Sequence, residues 1–279
     1  MDRGPALKGI SKPNSAEAIL KTVLQEKGWT SRFLKDDLDG DEHLEVARLV
    51  RDLSKAWIRH EAQEFAEQFL GWHERSLDLQ ERADVIKDGN AFRWQLQRFS
   101  SRIKTFIREG IIAGVLGLIG PRPITSGELE QAERLSQVQW QYFDSFINQA
   151  SDKPPIFRPD KTTDVIAIAP PMTVTQFIAR AESYGASVWS SAQEIARATY
   201  SRNGVFTEEH RVLGDAEHCE DCVTYSAMGW MPIGVLPAIG DSSCRINCAC
   251  WFEYRAGPNG IPHVAGRGPL YDAVFGAAG

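Results

Sequence analysis

The sequence predicts a mainly α protein with a small β module (α+β), in which a helical body leads into a long helix and then a cysteine cluster. Three observations carry this expectation. Apolar residues recur at three- and four-residue spacing from 41 to 150 and again after 172, the period of a helix with one buried face. After Gly204 that period gives way to short β-like pieces and turns. All five cysteines of the 279-residue chain fall between Cys219 and Cys250.

Residues 1–40 read as an N-terminal arm and a short helix. Asn14 and Glu17 have capping-box spacing, and "SAEAILKTVLQEKG" ends at Gly28. The acidic run "KDDLDGDEH" at 35–43 lacks the alternating oxygen ligands of a calcium loop, so it predicts a solvated turn and a helix start. Residues 41–150 form the helical body. Val46, Val50, Leu53 and Trp57 make one stripe, and Ile58, Ala62, Phe65 and Phe69 lie beside it. Phe92, Leu96, Phe99, Ile103, Phe106 and Ile107 make a second face, and a third helix opens at Thr125 and Glu128 and reaches Phe146. Gly110, Gly114, Gly117 and Gly120 fall three or four apart, which predicts either a close-packed helix face or a break before "PRP".

The proline-rich stretch 151–171 reads as a linker around the strand-like "DVIAIA". From 172 to 256 the chain predicts a long helix, opened by Thr173 and Gln176 and closed by "RNG", then the cysteine module. Residues 257–279 are glycine-rich and predict a flexible tail.

Composition narrows the chemistry. A chain this long with 43% apolar residues can bury a core without disulfides, and an odd number of cysteines would leave one unpaired. The N-terminus has no apolar run of the signal-peptide kind. The most apolar stretch, "IIAGVLGLIG", is far shorter than the ~20 residues a bilayer requires, so no membrane partner is expected. A formal net charge of −6 makes nucleic acid contact possible but not indicated, because that affinity comes mainly from cations on phosphates.

The cysteine spacing is Cys219-x2-Cys222, then Cys244-x3-Cys248-x-Cys250. Two thiolates two residues apart across a tight turn grip one tetrahedral ion, and the distal trio supplies the remaining ligands. On a strand, Cys248 and Cys250 would face the same way. Cys244 is then a spare, or it is a ligand in place of one of them. The expectation is one structural Zn2+ holding a zinc-ribbon-like hairpin too small for a core of its own. His218 and Glu220 match the first half of a zinc-deaminase signature, but the proline and spacing of its second half are missing. His210 and His218 read better as groups that orient a thiolate.

A long helix ending in "ARATYSRNG", then "EEHRVLGDAEHCEDC", a "GW.PIG" turn and "CRINCACWFEY" resemble the minor head, or head morphogenesis, proteins of tailed bacteriophages, the group similar to the F protein of phage Mu. Asp215, Cys219, Cys222, Cys248 and Cys250 match that family's pattern over roughly residues 172–256. The His-Pro that usually precedes the family's final pair is missing, and Cys244 stands near its place. The resemblance implies a structural virion component made in the host cytoplasm. It would be present in few copies inside the head or near the portal, with portal or capsid proteins, or further copies of itself, as partners. Catalytic residues are not expected, since the chain carries no phosphate-binding glycine loop, nucleophile elbow or paired-histidine zinc motif. A zinc-module nucleic-acid binder, and behind it a hydrolase or deaminase using His218 and Glu220, are the alternatives. Trp230 and Trp251 are candidate partner contacts or caps of the small core.

Overall fold

The computed structural model describes residues 15–69, 89–152, 174–214, 217–245 and 248–264. Asn14, the 153–173 stretch with "DVIAIA" and Thr173, Asp215, and residues 265–279 lie outside them. Helices α1 (Ala16–Lys27), α2 (Thr30–Leu34), α3 (Gly40–Phe69), α4 (Gly89–Ile119), α5 (Ser126–Asp152) and α6 (Val174–Asn203) make the helical body. Strand β1 (Glu208–Val212), helix α7 (Glu220–Ala227), and strands β2 (Met231–Pro232), β3 (Trp251–Arg255) and β4 (His263–Val264) follow.

The caps explain where the helices start and stop. Ser15, rather than Asn14, caps α1: its hydroxyl accepts the Ala18 N–H at 3.2 Å. Gly28, at φ +70°, ends the helix by donating to Gln25 while Trp29 donates to Leu24, the paired bonds of a Schellman motif. The acidic run closes a reciprocal box at the start of α3, Glu42 N–H to Asp39 at 2.9 Å and Asp39 N–H to Glu42 at 3.0 Å. Thr125 and Glu128 make the predicted box on α5.

The predicted stripes converge. Phe65 of α3, Phe99 of α4, Phe143 and Phe146 of α5, and Phe177 and Tyr184 of α6 form one aromatic cluster, with ring centroids 4.9 to 6.2 Å apart. The glycines of α4 form a close-packed face. A Cβ on Gly117 would stand 3.1 Å from the Ala47 backbone nitrogen and one on Gly114 would stand 3.0 Å from the Ala192 Cβ, so α3 and α6 approach α4 there. The helix continues to Ile119 and stops at Gly120, at φ +91°.

Two expected boundaries give way. The division between 41–150 and 172–256 is not one in the core, because α6 packs against both α3 and α4 and shares their buried cluster. Helix α1 belongs to that core as well, burying Ile19, Leu20, Val23 and Leu24. The tail also contributes structure: after a turn at Gly257–Gly260, β4 pairs with Glu253 and Tyr254 of β3. The antiparallel sheet has the order β2-β1-β3-β4. Its inner face turns Glu209, Arg211, Phe252 and Tyr254 inward, towards α6.

Candidate metal centre

Helix α7 brings in the first two thiols. Cys219 is its N-cap and Cys222 lies in its first turn, so the expected tight turn is a helix start, where backbone N–H groups favour a thiolate. The backbone N–H groups facing the Cys219 sulfur, chiefly that of Cys222, pull its pKa down to about 6. Asp221, also in that turn, accepts the Ser243 N–H at 2.8 Å and the Ser243 hydroxyl, and this pins the 242–244 loop against α7. Cys244 thereby lies 3.6 Å from Cys222, sulfur to sulfur, and Ser242 Oγ is 3.2 and 3.1 Å from the same two sulfurs.

Cys248 and Cys250 arrive from the other side, on the extended segment just before β3 rather than on the strand itself. Both are buried, and the Cys248 sulfur is 3.6 Å from Cys222. The Trp189 indole N–H of α6 donates to the Cys250 carbonyl at 2.9 Å, which ties this segment to the body. Gly214 permits the approach: a Cβ there would stand 2.6 Å from the Ala249 carbonyl oxygen.

All five thiols are free. Their sulfurs form two groups, Cys219 with Cys222 and Cys244, and Cys222 with Cys248 and Cys250, each within 4.8 Å throughout. Cys244 is therefore not set apart as a spare. The crowding appears in the acidities: the bond with Cys250 holds Cys248 down at about 4, and the same bond, with burial, pushes Cys250 up. Burial pushes Cys244 up to about 12. Protons are thus shared unequally among touching sulfurs, the arrangement that a bound cation relieves by taking all of them as thiolates. With Zn–S near ~2.3 Å, neighbouring sulfurs of a tetrahedron stand about 3.8 Å apart. The donor set and its spacing fit a thiophilic metal ion.

The groups around the sulfurs were not legible beforehand. Arg211 is fully buried on β1, with Nη1 3.7 Å from the Cys222 sulfur, Nη2 donating to the Pro237 and Ala238 carbonyls, and Nε without a partner. It has no carboxylate partner among the described residues. Next to it, Arg197 and the buried Glu209 form a two-bond pair, and Glu209 also accepts the Gly234 and Leu236 N–H groups. The two guanidiniums lie 4.8 and 5.4 Å from the Phe252 ring centroid. Alternation in "EEHRV" could have placed Glu209 and Arg211 on one face, but a charged face reads as the solvated one.

His218 Nε2 is 2.6 Å from the Gly214 carbonyl and Nδ1 is 3.7 Å from the Cys250 sulfur, in line with an orienting role. His210 is elsewhere, on the Ser226 carbonyl and beside Trp230. Glu220 is exposed. Trp251 packs under Arg48 of α3, so it belongs to the seam between module and body, whereas Trp230 lies half-buried between His210 and Arg255. No helix among the described residues is long and apolar enough to cross a membrane. Compared with protein-family models, with curated proteins and with solved structures, the chain matches none of them.

Proposed function

We propose that this chain is a non-enzymatic structural protein whose sheet module is stapled by cysteine-bound zinc, and that it serves as a minor head or head-morphogenesis protein of a tailed phage. The observation that carries the staple is the convergence of Cys219, Cys222, Cys244, Cys248 and Cys250 from three separate segments into two touching groups that share the buried Cys222. These segments contain little regular structure, so a metal bound there contributes directly to their folding. The phage assignment rests on the spacing of Asp215, Cys219, Cys222, Cys248 and Cys250 after a long helix. The body, one continuous core with a rigid knob at its end, suits docking against portal or capsid subunits.

Protein purified under reducing conditions is expected to carry zinc. Cys222→Ser is expected to lose it and melt the module while α1–α6 keep their helical signal in circular dichroism. A metal-free protein whose module remains folded would sink the staple. Mass spectrometry of purified particles tests the other half: the chain is expected inside them at low copy number, and its absence would remove the virion role.

A further inference from the structure

A single tetrahedral ion needs four mutually adjacent donors, whereas the sulfurs here form two three-sulfur faces that meet at Cys222. One face, Cys222 with Cys248 and Cys250, is buried throughout. The other ends in Cys219 and Cys244, both half-buried. Resting on the metal-staple reading above, we propose that the cluster is a two-ion centre in which the Cys222 thiolate bridges a buried zinc, held with Cys248 and Cys250, and an outer zinc, held with Cys219 and Cys244.

The buried ion is held by its three sulfurs, and His218 stands beside Cys250 alone, outside the reach of the Cys222 and Cys248 sulfurs. With Nε2–H donated to the Gly214 carbonyl at 2.6 Å, the lone pair is on Nδ1, 3.7 Å from Cys250. The outer ion completes its shell with water, because its two outer sulfurs reach the surface.

Charge decides between one ion and two. Five thiolates around one divalent ion leave three negative charges in the protein interior, and keeping sulfurs protonated to avoid this wastes ligands that already touch. Five thiolates around two divalent ions leave one. Arg211 then balances it: a buried cation with no carboxylate among the described residues, its Nη1 on the bridging sulfur. Without an anionic cluster that guanidinium would be an unpaired buried charge, which proteins avoid.

The test counts ions on the intact chain. Native mass spectrometry after loading with Zn2+ and gel filtration is expected to show two per chain, and a mild chelator should remove the outer one first. Cys244→Ser is expected to retain one ion and a folded module. Loaded with Co2+, the wild type should show thiolate charge-transfer absorption that rises through a second equivalent, and Cys244→Ser should saturate at one. One ion per wild-type chain, unchanged in Cys244→Ser, would overturn the two-ion centre and leave the single staple intact. No bound metal in the wild type would overturn both.

Discussion

Glu128 shows how one side chain joins two helices. Its carboxylate closes the Thr125 box, takes both arms of Arg122, and accepts the Thr199 hydroxyl of α6 at 2.9 Å, all while fully buried. Burial alone would raise its pKa, but the bonds from Arg122 and Thr125 outweigh that and hold it at about 2. A depressed carboxylate contributes stability that is present above its ordinary pKa of 4.5 and lost as pH falls from 4.5 towards 2. The size is about 3 kcal/mol. His43 acts at a higher pH: burial lowers its pKa below the ordinary 6.5, so its contribution fades as pH drops beneath 6.5. Glu128→Gln is expected to cost about 3 kcal/mol at pH 7, since Arg122 keeps its charge and loses the Glu128 carboxylate. It should also flatten the stability profile below pH 4.5 while leaving the His43 region unchanged. Urea denaturation at several pH values checks both, and an unaltered acid limb would refute the assignment.

At the scale of elements, Gly185 lets α6 approach the backbone of α3 closely. A Cβ there would stand 2.8 Å from the Lys55 Cα and 2.9 Å from its backbone nitrogen, atoms that cannot rotate away. Helix propensity alone makes Gly→Ala favourable by ~1 kcal/mol, whereas overpacking against backbone costs about 1 to 3 kcal/mol. Gly185→Ala is therefore expected to destabilise. Gly127→Ala, with nothing within 4 Å of its new Cβ, should be neutral or stabilising. Chemical denaturation midpoints moving in the same direction for both would contradict the packing account. The glycine periodicity on α4 was readable as a possible contact face because Gly110, Gly114 and Gly117 recur three or four apart. Gly185 is isolated in its helix, and nothing local distinguishes it from a tolerated helix glycine.

At the scale of the molecule, one edge of the sheet is held against a helix remote in sequence. Strand β4 covers the edge of β3 beside Tyr254, which is buried, and it also lies against α3. Ending the chain after Arg255 removes that strand and exposes an unpaired edge. The expected cost is about 1 to 2 kcal/mol, one or two net hydrogen bonds. It would be read as a lower thermal midpoint in the zinc-loaded protein; an unchanged midpoint would return the tail to a dispensable role.

Helical period, capping spacing and cysteine clustering are local properties, and they determined the mainly α class, the starts of α5 and the end of α1, and the five candidate ligands. Each follows from backbone geometry or side-chain chemistry within a few residues, so no fold is needed to read it. Tertiary structure decided the rest. It joined 41–150 and 172–203 into one core, because an aromatic stripe does not name the stripe it meets. It turned Glu209 and Arg211 inward, because a charged strand face is buried only when another element brings its partners: Arg197 for Glu209, the sulfur cluster for Arg211. It also set the sulfurs as two groups around Cys222. Sequence spacing states how far apart ligands are along the chain, and only the packing of α7, the 242–244 loop and the approach to β3 settles which of them touch.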